Sequence, residues 1–349
     1  MKQRQYYDAL TAMSGIAILF VLIIHGCGNV LTNFYPGNAT YANADLWLRT
    51  FSNLAAPAVP MFLFAAGFKY AANDTQTPYV AYLKKRLPRV LVSFGIINTV
   101  FWTLDAVKYM ESFDVILLAK TYLHSWVGYS VAYQLWYIPM YCCVIVVSPL
   151  VRRLVPSACV RFLAYLLIGV AQRMLEVKIP VLATYPIRFV SYPVFFEMGI
   201  LAQEKNWHDR VPAKIGIWGT TAYFLAILLL SWILPGLSAN GLAKYIFYYF
   251  AGTAVMFALA VELKSSRILR WLGAISYPVF LLHEPLIGRC VTLLLNKLLI
   301  RSEVIWLIAW VVLVLFASVA IMQIFTIIHL DRVLWKFTLR KTIKRSELL

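Results

Sequence analysis

The chain has 349 residues, of which 62% are hydrophobic and only 13% are charged, and its mean hydropathy is +0.74. These values lie outside the range of ordinary globular domains and indicate a membrane protein. The formal charge of +17 would suggest nucleic-acid binding if the basic residues formed a patch on a soluble fold. They fall instead in the short breaks between apolar runs, which argues against a nucleic-acid partner and leaves no room for a separate soluble domain.

The hydropathy pattern predicts an all-α, polytopic fold with about ten transmembrane helices in the lipid bilayer. In chain order, the predicted spans are Ala9 to Leu31, Thr50 to Ala71, Leu87 to Lys108, Gln134 to Arg153, Cys159 to Leu175, Thr184 to Ala202, Ala213 to Leu234, Leu242 to Glu262, Leu272 to Leu298 and Val304 to Leu330. The stretch Phe113 to Trp126 is too short and too mixed to span, so we expect a loop or an interfacial helix there.

Lysine and arginine predict the orientation of these helices. Every second polar segment, beginning with the amino terminus, carries several basic residues, whereas the alternate segments carry few. The positive-inside rule therefore places both termini in the cytoplasm. We expect one transmembrane domain, residues 1–335, followed by a basic cytoplasmic tail, residues 336–349.

The first apolar run could instead be a cleaved export signal, because "MKQRQ" followed by apolar residues mimics the start of one. The sequence "IHGC" also faintly resembles a lipoprotein cleavage site, but histidine is a poor residue there. Removing this run would invert the charge bias of every later loop. We therefore expect the first helix to be retained.

Ionisable residues inside the predicted spans mark functional sites or pairing partners, since charge is costly in lipid. At about 1.5 Å per residue, His25 lies roughly 24 Å into the first helix and His283 roughly 17 Å into the ninth. Both imidazoles could thus line one cavity and accept a proton from an attacking hydroxyl. The alternative is that each only bonds a neighbouring helix. Glu197 is expected chiefly to pair with a buried base or to join two helices.

A basic cluster opens the third predicted span in the sequence "LKKRLPRV". Lys85 and Arg89 are four residues apart and share a helix face, with Arg86 beside them. This cluster is heavier than membrane anchoring needs and suits a phosphate-bearing ligand. Plain anchoring remains the alternative. The five cysteines lie mostly in apolar segments without CxxC spacing, so no metal site is predicted.

Five segments of the chain together form a recognisable pattern. They are "LTAMSGIAILFVLIIH", which ends in His25, "VPMFLFAAGF", "KKRLPRV", "LWYIPMY" and "LGAISYPVFLLHEPLI". In their order and spacing the chain resembles the acyltransferase 3 family of multi-pass bacterial membrane proteins, which transfer acetyl or related acyl groups to carbohydrates and other acceptors. The resemblance covers most of the chain.

The resemblance implies an O-acyltransferase of the bacterial cytoplasmic membrane, with acetyl-CoA or another acyl-CoA as co-substrate and a glycan or other hydroxyl acceptor. It implies that His25 is the catalytic base, and that Lys85, Arg86 and Arg89 contact the phosphates of acyl-CoA. A covalent acyl-histidine is the other chemical route. The remaining pocket candidates are Trp136, Tyr137, Glu197, Ser276, Tyr277 and His283.

Three positions depart from the family pattern. Ser14 stands where a basic residue is usual before the glycine of the first helix, and Thr11 stands where an aspartate is common. Ala66 occupies a position often held by serine. Arg4 or Asp8 are the candidates to replace the missing charges.

Two other functional classes stay open. A transporter or flippase for a glycan or its lipid-linked precursor would also use buried ionisable residues, although the chain shows no matched pair of Gly/Pro-broken segments. A structural scaffold would require inert histidines. Neither the acceptor nor the choice between acetyl and succinyl follows from the sequence.

Overall fold

The computed structural model describes residues 2–35, 40–41, 44–106, 114–127, 133–176, 178–179, 181, 187–212, 214–234 and 241–334. Within these ranges the chain is almost entirely helical and contains no β-strand. The predicted cytoplasmic tail, residues 336–349, lies outside the described residues, as does the side chain of Arg4.

The described helices follow one another in a simple order. They are α1 (Lys2–Phe34), α2 (Leu46–Leu54), α3 (Ala58–Asn73), α4 (Tyr79–Ala106), α5 (Val115–Ser125), α6 (Tyr137–Leu154), α7 (Ala158–Leu175), α8 (Pro193–Glu204), α9 (Trp207–Arg210), α10 (Ile215–Ile233), α11 (Gly241–Ala243), α12 (Gly252–Glu262), α13 (Arg267–Leu282), α14 (Gly288–Lys297), α15 (Glu303–Ile327) and α16 (Asp331–Leu334). A 3₁₀ turn precedes α6 and another precedes α8, and π-helical turns join α11 to α12 and α13 to α14.

Among the described residues, nine helical segments are long and apolar enough to cross a membrane. They are Tyr6–Phe34, Leu46–Asn73, Tyr79–Leu104, Gln134–Leu154, Ala158–Leu175, Ile215–Ile233, Gly241–Glu262, Arg267–Lys297 and Glu303–Ile327. The prediction of an all-α polytopic membrane protein is therefore confirmed.

The sixth predicted span is the one that differs. Helix α8 has only 12 residues, about 18 Å of helix, which is less than the apolar core of a bilayer. Contacts at its two ends show that α8 still returns the chain across the protein. Before α8, Ser191 Oγ accepts a hydrogen bond at 3.1 Å from Arg173 near the end of α7. Beyond α8, the His208 ring lies 5.7 Å from the ring of Tyr6 near the start of α1. Buried among other helices, α8 needs no full-length apolar surface of its own.

Helix α5 accounts for the stretch that was predicted to be a loop or an interfacial helix. Asp114 caps its first turn, accepting hydrogen bonds from the backbone N–H groups of Ile116 and Leu117 at 2.9 and 3.1 Å. Most of its residues are exposed, including large apolar ones. That pattern favours a helix lying at the membrane surface.

Helices α1 and α13 touch backbone to backbone at a pair of glycines. A Cβ atom at Gly15 would overlap the carbonyl group of Leu269, and one at Gly273 would overlap the carbonyl group of Thr11. Small residues at such crossings let membrane helices approach closely and gain dispersion contacts. Helices α3 and α8 cross in the same way, with Gly67 against Phe196 and Gly199 against Phe64.

Helix α13 ends at a break inside the membrane-spanning segment Arg267–Lys297. Pro285 has no backbone N–H to give, and Glu284 has extended torsion angles of φ −138° and ψ 155°. The break leaves backbone carbonyls that need donors, because there is no water in lipid to satisfy them. Gln134 Nε2 donates to the carbonyl of Glu284, which ties the start of α6 to the break.

The α3–α8 crossing predicts a stability difference between two glycines. Gly199→Ala should destabilise the protein by about 1–3 kcal/mol, because the added methyl group meets backbone that cannot give way. Gly219→Ala in α10 is the matched control, since its Cβ would meet only Val255 Cγ1 at 3.8 Å. Thermal unfolding of the detergent-solubilised variants measures the effect. Equal melting temperatures for the two variants would contradict the close crossing.

Candidate functional site

A cavity of about 360 Å³ lies between α1, α3, α4, α6 and α13. Each helix contributes residues at helical spacing, so that one face of every helix is turned inward. The lining consists of Thr11, Ser14, Phe62, Ala65, Ala66, Lys69, Arg86, Arg89, Val90, Tyr137, Tyr141, Gly273, Ala274, Ser276, Tyr277 and Phe280. All five segments that carried the family resemblance contribute residues to this lining.

The cavity is cationic at one end. Lys69, Arg86 and Arg89 line it, and among the described residues no aspartate or glutamate belongs to the lining. The other lining residues are aromatic, aliphatic or hydroxyl-bearing. The arrangement suits a ligand with a strongly anionic group at one end and an uncharged arm.

The predicted cations do not all face this cavity. Lys85 Nζ lies 2.6 Å from Asp74 Oδ1, and 42% of its side chain is exposed, so it stands outside the lining. Arg86 lines the cavity and also binds the Asp74 carboxylate. Burial of Asp74 opposes its ionisation, but hydrogen bonds from Lys85 and Arg86 outweigh this and hold its pKa below the ordinary value. Asp74 therefore stays ionised and fixes the position of Arg86.

Lys69 is a cavity residue that was not among the predicted site residues. It follows Phe62, Ala65 and Ala66 on one helix face, at spacings of three, four and seven residues. Extending that face by one turn from the segment "VPMFLFAAGF" would have identified it. No carboxylate pairs with the Lys69 ammonium among the described residues.

Three of the six predicted pocket residues line the cavity and three do not. Tyr137, Ser276 and Tyr277 do so, and the Tyr277 hydroxyl donates to the carbonyl of Val90 at 2.9 Å. Trp136 packs instead against the ring of Tyr192, with centroids 5.1 Å apart.

Glu197 also lies away from the cavity. Its carboxylate accepts a hydrogen bond from Arg161 Nε at 3.0 Å, and both side chains are fully buried. Arg161 also donates to the carbonyls of Val155 and Pro156 at 2.7 Å each. This pair joins α7 to α8, and Arg161 is a buried structural cation rather than a loop charge.

His25 and His283 lie side by side. Their ring centroids are 4.8 Å apart, with an angle of 60° between the rings. Each lies ten residues beyond the glycine crossing, His25 after Gly15 and His283 after Gly273. Two parallel helices that touch at one point and advance by the same rise, about 15 Å over ten residues, bring these side chains to the same level.

The hydrogen bonds of His283 fix its tautomer. Nδ1 lies 2.8 Å from the carbonyl oxygen of Phe280 and 3.2 Å from that of Val279. A carbonyl oxygen can only accept, so Nδ1 carries the proton and donates. The Nε2 atom of neutral His283 is then a bare lone pair, and it is buried without a hydrogen-bond partner among the described residues. A proton acceptor is thus held beside His25.

Phe280 stands between the cavity and the imidazole pair. It lines the cavity, and its ring lies 5.8 Å from the His283 ring and 5.5 Å from the Tyr137 ring. Neither histidine lines the cavity itself. The cationic end and the imidazoles thus lie at two depths of the same helix group, with aromatic side chains between them.

Two side-chain amides bond to groups that neighbour the imidazoles in the chain. Asn29 Nδ2 donates to the carbonyl of His25 at 2.9 Å and to Glu284 Oε1 at 3.3 Å, and Thr292 donates to Asn29 Oδ1 at 3.3 Å. Gln134 Oε1 is buried without a partner among the described residues. The sequence reasoning did not select Asn29 or Gln134, although an amide in an apolar run is a signal of the same kind as a histidine there.

The departures from the family pattern place hydroxyl groups in the cavity wall. Ser14 Oγ donates to the carbonyl of Leu10 at 2.9 Å and Thr11 Oγ1 to that of Tyr7 at 2.8 Å. Asp8 lies 3.6 Å from Arg270, so its carboxylate is already near a cation.

A scan against models of protein families matches residues 7–327 to the acyltransferase domain of the acyltransferase 3 family. Comparisons with curated proteins and with solved structures gave no match. The match covers nearly the whole chain and includes every helix that lines the cavity. The chain therefore belongs to the acyltransferase 3 family and is a multi-pass membrane acyltransferase.

Proposed function

We propose that this protein is an O-acetyltransferase of the bacterial cytoplasmic membrane, which transfers an acetyl group from cytoplasmic acetyl-CoA to a hydroxyl group of a carbohydrate. The observation that carries the proposal is the cavity with three cations at one end and a paired imidazole beyond its aromatic end. A thioester with a phosphate-rich head and a long uncharged arm matches both features.

The thioester end of acetyl-CoA enters the cavity first, and the phosphate-bearing end stays at the cationic end. Its diphosphate binds Lys69, Arg86 and Arg89, because guanidinium and ammonium groups are the usual partners of phosphate. The uncharged arm lies along Tyr137, Tyr277 and Phe280 and carries the thioester toward the imidazoles. The basic loops place the cationic end in the cytoplasm, where acyl-CoA is available.

His25 is the general base of the transfer. It takes the proton of the acceptor hydroxyl as the oxygen attacks the thioester carbonyl carbon. The carbon–sulfur bond then breaks, and the thiolate of coenzyme A leaves with the proton that His25 holds. A direct attack of this kind needs no acyl-enzyme intermediate.

His283 orients the reaction from beside His25. Its bare Nε2 can accept a hydrogen bond from the acceptor hydroxyl or from the His25 ring. The hydroxyls of Ser14 and Thr11, at two positions that depart from the family pattern, both bond their own helix.

His25→Ala should reduce acetyl transfer by about 100-fold or more, the usual contribution of a general base. The measurement is mass spectrometry of the surface glycans of cells whose own copy is deleted and replaced by the variant. His124→Ala, on the exposed face of α5, is the matched histidine control and should retain full transfer. Both variants should be recovered from the membrane in equal amounts.

Full glycan acetylation with His25→Ala would overturn the assignment of the base. A transporter gives a different pattern: wild-type protein, purified and supplied with acetyl-CoA, would release no free coenzyme A under any condition. That result would remove the proposed enzyme activity altogether.

Arg89→Gln should raise the KM for acetyl-CoA roughly tenfold, because a charged hydrogen bond to phosphate contributes about 1.5–3 kcal/mol. Lys84→Gln removes the same charge from an exposed position on the same helix and should leave the KM unchanged. Lys85→Gln should have a smaller effect than Arg89→Gln, since Lys85 is bound to Asp74 outside the cavity. Steady-state kinetics of coenzyme A release measures all three. Equal shifts for Lys84 and Arg89 would indicate a general surface-charge effect instead.

A further inference from the structure

A second, smaller hollow lies on the other side of the Asp74–Arg86 pair. It has a volume of about 150 Å³, and its lining includes Tyr70, Asp74, Tyr79, Tyr82, Arg152 and Arg153. Asp74 lines this hollow while its partner Arg86 lines the larger cavity. The two spaces are thus neighbours that share one ion pair as their partition.

The hollow carries positive charge that the protein does not neutralise. The one carboxylate in its lining, Asp74, is already bound by Lys85 and Arg86. Arg152 Nη1 is buried and has no hydrogen-bond acceptor among the described residues. A buried guanidinium N–H without an acceptor is costly, so an anion that fills this position gains binding free energy.

The walls of the hollow are aromatic. The rings of Tyr70 and Tyr82 meet edge to face with centroids 5.2 Å apart. The Tyr79 hydroxyl donates to the carbonyl of Val146 at 3.2 Å, which holds this ring against α6. Arg152 lies over the ring of Tyr70 and Arg153 over that of Tyr79, at 6.0 and 5.8 Å. Aromatic rings and guanidinium planes side by side can stack on a nucleobase while binding a phosphate.

We propose that this hollow is the subsite for the nucleotide end of the donor: its tyrosine-lined wall takes the adenine ring, and Arg152 and Arg153 bind the 3′-phosphate. This inference rests on the proposed use of acyl-CoA. The larger cavity binds the diphosphate and the uncharged arm of the donor. The adenosine 3′-phosphate passes the Asp74–Arg86 pair and lies in the smaller hollow. Donors that lack the 3′-phosphate are therefore bound poorly.

The test compares coenzyme A with 3′-dephospho-coenzyme A by isothermal titration calorimetry, using the purified full-length protein. The wild type should bind coenzyme A roughly tenfold more tightly, the value of one charged phosphate contact. Arg152→Gln should weaken the binding of coenzyme A toward the dephospho level and should change the affinity for dephospho-coenzyme A little, because the side chain acts on the 3′-phosphate that the second ligand lacks. Arg153→Gln is the second variant, since this exposed side chain can be replaced without disturbing the fold.

Arg267→Gln, at the exposed start of α13, is the control and should affect neither ligand. Equal weakening of both ligands by Arg152→Gln and Arg153→Gln would overturn the subsite and indicate general electrostatic attraction. Unchanged affinities in both variants would overturn it as well, and would fit a hollow that binds a lipid phosphate. A wild type that binds neither ligand would instead overturn the proposed use of acyl-CoA.

Discussion

The backbone contact between α1 and α13 at Gly15 and Gly273 is the constraint on which the rest of the site depends. Because no side chain separates the helices there, they run side by side and in register, and the two imidazoles ten residues further on face each other. The same contact lets Ser14 and Ser276 approach the cavity from two helices. A larger residue at either glycine would move the imidazole pair and the cationic cavity relative to each other.

The second constraint comes from lipid, which offers no hydrogen bonds to a broken helix. The break at Glu284 exposes the carbonyls of Val279 and Phe280 to the ring of His283, and Gln134 satisfies the carbonyl of Glu284. A local defect in helix geometry thus supplies the fixed tautomer that proton transfer needs.

Much of the fold could be predicted from the sequence, because the length of each apolar run and the charge of each loop can be read directly along the chain. The short α8 could not, since a helix that is buried in protein is freed from the length that lipid demands. At the site, the basic cluster and the family resemblance predicted Arg86, Arg89 and Tyr277 as site residues, and these residues do line one cavity. The pairing of Lys85 with Asp74 depends on how α3 and α4 rotate about their axes, which spacing within one helix does not determine.

The most direct measurement is a structure of the protein with a non-hydrolysable thioether analogue of acetyl-CoA. The diphosphate should lie against Lys69, Arg86 and Arg89, and the sulfur of the analogue should lie past Phe280 within reach of His25. An analogue bound outside this cavity, or one whose sulfur points away from both imidazoles, would contradict the proposal that the cationic cavity and the imidazole pair form a single acyl-transfer site.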